Sequence, residues 1–170
     1  MSLSMYEASV PVFKQMLGSL DVLIDKAAAH VEARKLEPNS LLQARLFPDM
    51  FTFVRQVQIA CDFAKSVPAR LAGADVPAYE DNEQSFDELK ARIAKTLAFA
   101  GGLDAARFDG SEQREIVLRP GTPKEKRLDG RAYLLGYGLP QFFFHVTTAY
   151  DILRHKGVAI GKLDYLGFNA

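Results

Sequence analysis

The sequence predicts an all-α protein, an antiparallel four-helix bundle with a short β-hairpin excursion between the third and fourth helices. Three observations lead there. Apolar residues recur at alternating spacings of three and four in four separate segments, the stripe of helices packed in a left-handed bundle. Strands do not alternate with helices, which removes the layered α/β classes. Residues 104–135 break the helical pattern with β-forming residues and turn signals.

The first helix carries its stripe on Tyr6, Val10, Phe13, Leu17, Leu20, Ile24, Ala27 and Val31. Pro11 lies inside this pattern and removes one backbone donor, so a bend or a start only one turn earlier is expected. Residues 35–40 form a loop, with Pro38-Asn39 as its turn signal. The second helix follows on Phe47, Met50, Val54, Val57, Cys61, Ala64 and Leu71, with Pro48 in its first turn. Pro68 is expected to end or kink it. Residues 73–84 are polar, contain Pro77 and read as a connector.

The third helix has the clearest start. Ser85-Phe86-Asp87-Glu88 fits a capping box, in which the serine oxygen accepts an early backbone N–H and the glutamate reaches back. Phe86, Leu89, Ile93, Leu97, Ala100 and Leu103 form its apolar face, and Gly101-Gly102 its stop. Within the excursion, residues 115–119 read as one strand, 120–123 as a turn, 126–128 as the returning strand and Asp129-Gly130 as a second turn. Structureless loops of that length are uncommon, so the segment should cover one end of the bundle or meet a partner. The fourth helix runs from about Gly138 to Lys156, with Gly157 as a left-handed cap. The tail from Val158 is apolar enough to pack back on the bundle.

The 170 residues fit a single domain, 1–170, with a substantial core. Twenty-one basic residues balance 21 acidic ones, which argues against a general nucleic-acid binder. The opening residues lack a basic region followed by an apolar run, and nothing approaches the roughly 20 apolar residues that span a bilayer. A cytoplasmic protein with no membrane segment is expected. The single cysteine, Cys61, sits at an apolar helical position and reads as a small core residue, a reactive thiol being the alternative.

One face of the fourth helix carries the candidate site. Gln141 and His145 lie four residues apart on it, among Leu139, Phe142, Val146, Ala149 and Leu153. A neutral imidazole there could accept a metal or act as a general base; it could equally be a structural histidine bonded to a neighbouring helix. His155 is ten residues further on, about 15 Å along a helix, too far to share an ion. The second helix offers Gln56 and Gln58. Gln58 flanks the apolar seam, and a core cluster of Gln58, Gln141 and His145 could bind water or a small polar ligand. No cofactor is expected, a divalent metal at His145 being the alternative.

Three stretches carry a family resemblance. They are Phe142-Phe143-Phe144-His145-Val146-Thr147-Thr148 with its continuation through residue 167, Pro48-Asp49-Met50-Phe51 with Gln56-Val57-Gln58, and Met5-Tyr6-Glu7-Ala8-Ser9-Val10-Pro11. Together they resemble a bacterial family of unknown function within the DinB-like four-helix-bundle superfamily. That resemblance implies a fold and a place for a metal, held in understood members by one histidine of the second helix and two of the fourth. His145 matches the later of the fourth-helix pair and Gln141 stands at the earlier. Gln58, with Gln56 as the second choice, stands for the third. The resemblance therefore implies a degenerate metal site and a ligand-binding or interaction role. A metal-dependent thiol transferase or hydrolase using His145, and a structural or stress-associated homodimer, are the alternatives. A homodimer is expected on physical grounds too. Val12, Met16 and Leu23 widen the apolar stripe of the first helix beyond what one bundle core should cover.

Overall fold

In the computed structural model, which describes residues 3–168, the chain runs as α1 (Val10–Arg34), a single turn α2 (Asn39–Leu42), α3 (Phe53–Leu71) and α4 (Phe86–Gly101). Two 3₁₀ turns, Ala105–Phe108 and Ser111–Gln113, lead to a hairpin of β1 (Glu115–Leu118) and β2 (Lys126–Asp129). A turn α5 (Gly130–Tyr133), a π-helical turn (Leu134–Gly138), α6 (Leu139–His155) and α7 (Lys162–Leu166) complete it. The four long helices close the expected bundle. α4 and α6 each pack against both α1 and α3, and α1 also meets α3 across the core. Ring contacts join the layers: Phe13 of α1 meets Phe142 of α6 edge-on, with centroids 4.7 Å apart.

Local chemistry sets the helix ends. Pro11 falls in the first turn of α1, where its missing N–H costs nothing, so no bend is needed. α3 begins at Phe53, six residues after the expected Phe47. Thr52 caps it by accepting from Arg55 N at 3.4 Å, while Arg45 holds the preceding loop through the Pro48 and Met50 carbonyls. Phe47 is therefore an exposed loop residue rather than part of the stripe. Pro68 neither ends nor breaks α3: the helix continues to Leu71, because the lost bond falls in the last turn. Ser85 caps α4 as expected, accepting from Glu88 N while Glu88 accepts from Gln84 N.

The hairpin pairs Ile116 with Leu128 and Leu118 with Lys126 in antiparallel register. Its exit differs from the expected second turn. Asp129 is a helix cap, its carboxylate accepting from Ala132 N at 2.7 Å, so the strand passes directly into α5. The helical rise that carries the site thus begins at Gly130, eight residues before Gly138. Two glycines permit it. A Cβ on Gly130 would stand 1.9 Å from the Ser111 carbonyl oxygen, and one on Gly138 2.8 Å from a Val67 methyl of α3.

Most of the wide stripe of α1 is covered within the chain, Val12 being half-buried. Met16 and Leu23 are buried. α7 lies along this side of α1: Gln15 donates to the Leu166 carbonyl at 3.0 Å and Ser19 Oγ lies 2.6 Å from the Asp164 and Tyr165 carbonyls. Lys26 pairs with the buried Asp164 carboxylate at 2.5 Å. The tail occupies the surface from which a dimer was inferred, so that argument for self-association falls away. Among the described residues no helix is long and apolar enough to cross a membrane.

Gly130→Ala is expected to destabilise the fold by about 2 kcal/mol or more, because a backbone oxygen cannot yield as a side chain can. Gly136→Ala, where a Cβ meets nothing within 4 Å, should change stability by less than about 1 kcal/mol in either direction. Denaturant midpoints of the two variants check this; equal losses would refute the close approach.

Candidate functional site

Gln56 and His145 meet in the seam between α3 and α6. Both are buried, and Gln56 Oε1 lies 2.7 Å from His145 Nδ1. Gln56 Nε2 donates to the Phe51 carbonyl at 3.4 Å, which sets the amide so that its oxygen faces the ring. Nδ1 therefore carries the proton and donates, and Nε2 keeps its lone pair. Among the described residues no protein group bonds Nε2, and it is not sealed from solvent. Burial first, and the Arg55 charge second, push the imidazole down to about 4. At neutral pH the ring is uncharged, an acceptor and a weak base.

Aromatic rings surround it. Phe63 of α3 stacks on the imidazole at 6.0 Å and Tyr137 of the π-helical turn meets Phe63 at the same distance. Phe144, more than half exposed, stands edge-on to the imidazole at 5.2 Å. Gln141 is half-buried one turn before His145, at a small cavity shared with Tyr137 and the hairpin.

Gln58 lies elsewhere. It is buried on another side of α3, accepting from Arg55 at 3.1 Å and donating to Glu83 at 2.8 Å. Of the cluster expected from Gln58, Gln141 and His145, the structure thus pairs His145 with Gln56 in place of Gln58, while Gln141 lines the hairpin cavity. The reason is geometric: residues two apart on a helix point nearly opposite ways, and α3 is enclosed on both sides. The three-four pattern marks Gln56 and Gln58 equally as flanks of the seam. The signal that could have separated them is the acidic connector, whose Asp81 and Glu83 suit the Arg55–Gln58 side.

The donor set does not suit a tightly held divalent metal. The one imidazole has a neutral amide, Gln56, as its partner, and amides are poor ligands for such ions. Among the described residues no three histidine, cysteine, aspartate or glutamate side chains converge as ligands. Cys61 is fully buried and its thiol is pushed up to about 12 by that burial, so it packs as a core residue and is not a thiolate nucleophile. His155 is exposed at the end of α6, far from this face.

Residues 5–166 match a family described as a domain of unknown function, DUF1993. The chain is also similar to the crystal structure of a DinB family member protein from Shewanella denitrificans. Identity is 41%, over 95% of this chain and 91% of that one, with a TM-score of 0.90. No curated protein matches. The resemblance and the fold class expected from the sequence are borne out.

Stability should report the buried imidazole. Its folded value of about 4 lies below the ordinary 6.5, so above pH 6.5 both states are neutral and nothing is lost. As pH falls from 6.5 to about 4 the unfolded chain takes up the proton first, and stability drops, by on the order of 3 kcal/mol. His145→Ala should cost on the order of 1–3 kcal/mol at neutral pH and flatten the profile across that window. His155→Ala should do neither. Denaturant midpoints across the pH range decide it; an unchanged acid slope in His145→Ala would refute the assignment.

Proposed function

Since this chain belongs to the DUF1993 family and has the DinB-like bundle fold, we propose that it binds a small polar ligand on the His145 face, with the metal chemistry of its superfamily lost. One observation carries the reading. Gln56 occupies Nδ1 and leaves Nε2 an unbonded acceptor on a ring stacked against Phe63, which in turn meets Tyr137. Neutral donors and acceptors framed by rings suit a polar molecule better than an ion. The enzyme alternative is weaker, because a base near 4 lies well below the value that serves proton transfer at neutral pH. A metal-dependent thiol transferase or hydrolase would need ligands these side chains do not offer. We place the protein in the cytoplasm on the reading of its lone, buried and unpaired cysteine.

Zinc titration followed by calorimetry tests this. Wild-type protein should take up no stoichiometric zinc at micromolar concentration, and Gln56→His/Gln141→His should bind one ion about a hundredfold more tightly or better. Stoichiometric zinc or nickel in the wild type, purified without added metal, would overturn the reading.

A homodimer is the second reading, moved to another surface. Phe47 and Phe51, before α3, and Phe144, on α6, are all more than half exposed. Phe51 is tied to Gln56 through its backbone carbonyl, and the Phe144 ring meets His145, so both residues lie beside the pair. Exposed aromatics grouped at one place mark an interface. Light scattering at micromolar concentration should give a dimer mass for wild type and a monomer mass for Phe47→Ser/Phe51→Ser. A monomeric wild type rejects this reading.

A further inference from the structure

The hairpin turns a set of unpaired cations toward the same face. A cavity of about 170 Å³ lies between it and the start of α6, lined by Leu118, Arg119, Lys124, Lys126, Tyr137 and Gln141. No carboxylate lines it. Among the described residues Arg119, Lys124 and Lys126 form no ion pair, although the chain as a whole is neutral. The acids of the hairpin are engaged elsewhere: Glu115 and Glu125 both pair with Arg127, at 3.1 and 2.9 Å. Three positive charges are thus left around one small concavity.

The backbone there is specialised. Arg119 sits at φ +51°, the left-handed region that disfavours a side chain, and its carbonyl accepts from both the N–H and the hydroxyl of Thr122. The opposite wall is the π-helical turn, which presents Tyr137. Such turns are rare and occur often at functional sites. Tyr137 meets Phe63, and Phe63 stacks on His145, so the cavity and the imidazole share one continuous wall.

We propose that this cavity seats the oxyanion group, carboxylate or phosphate, of a small ligand, and that the rest of the ligand lies along Tyr137 and Phe63 toward His145. Ligand pockets commonly span roughly 300–1,000 Å³, so a cavity this small takes the charged end of a molecule and not the whole. Lysine and arginine ammonium and guanidinium groups bind such oxyanions by charge-assisted hydrogen bonds, with the Gln141 amide as a neutral donor beside them. The charged network around Arg92, on the other side of α3, offers no comparable site, since its carboxylates already bond its cations.

The proposal rests on the ligand-binding reading of the His145 face, but the two fail separately. Calorimetric titration of the full chain at low salt and near neutral pH, with inorganic phosphate in one arm and citrate in the other, is the test. At least one probe should bind. Arg119→Gln and Lys124→Gln/Lys126→Gln should weaken it about tenfold or more, and Lys156→Gln, an exposed cation at the far end of α6, by less than about twofold. These side chains are exposed, and far-UV circular dichroism confirms that each variant folds. Phosphate alone binding names a phosphoryl group, and citrate alone a carboxylate. Failure of both probes below about 10 mM overturns the proposal. So does an equal loss in Lys156→Gln, or binding of heparin without either small anion. None of these outcomes touches the zinc result, which alone decides whether the metal chemistry is lost.

Discussion

The seam between α3 and α6 is the constraint on which the rest of the molecule depends. Gly138 lets the start of α6 press against Val67, and Phe142 carries the contact on to Phe13 of α1. Inside this seam lies one polar pair, Gln56 and His145. An amide and an imidazole out of water are costly unless each satisfies the other, so the pair tolerates only one register of the two helices. Sliding α6 by one residue would strand both groups and drive the Gly138 backbone away from its notch. Packing and hydrogen bonding thus demand the same alignment, and burial in this seam, with the Arg55 charge nearby, keeps the imidazole neutral.

α3 carries a second polar system on another side, built from charge. The Arg92 guanidinium, 2% exposed, bonds Glu83, Asp62, Asp81 and the Glu80 carbonyl, and its Nε is left without a partner. Lys65 and Lys95 approach the Tyr79 ring at 3.8 and 4.1 Å. Together these contacts fasten the connector before α4 onto the bundle. A buried guanidinium is expensive to desolvate, and it is tolerated here because three carboxylates surround it. Gln58 belongs to this network through Glu83 and Arg55. The two glutamines of α3, two residues apart, therefore serve opposite ends: one bonds the neutral imidazole of the site, the other joins the charged network that holds the connector.

The excursion after α4 is structural continuity rather than an inserted loop. Asp129 closes the hairpin and opens a helix in the same residue, and the π-helical turn then brings Tyr137 to the wall of the site before α6 begins. Hairpin, turn and helix follow one another without an intervening loop, and Gly130 lies close against Ser111. Cations at the hairpin are consequently placed beside Tyr137 and Gln141 at the start of α6 by backbone geometry.

The sequence by itself determined the bundle, the hairpin and the histidine. Three-four spacing needs only local helix geometry to be read, the Ser85 box caps α4 by local hydrogen bonds, and β-forming residues around Pro120-Gly121 mark a hairpin without knowledge of its neighbours. What lies between elements was decided by the tertiary structure. Pattern shows that a residue flanks a seam but not which helix stands beyond it, so Gln56 and Gln58 looked alike until α6 and the connector took opposite sides of α3. The breadth of the α1 stripe suggested a second copy because a pattern cannot tell one's own tail from a partner; α7 fills that place through Ser19 and Lys26. Phe47 fits the stripe by spacing and leaves it by capping, since Thr52 supplies a better start. Local rules fix what each segment becomes. Which faces meet depends on long-range packing, and that is where the site was made.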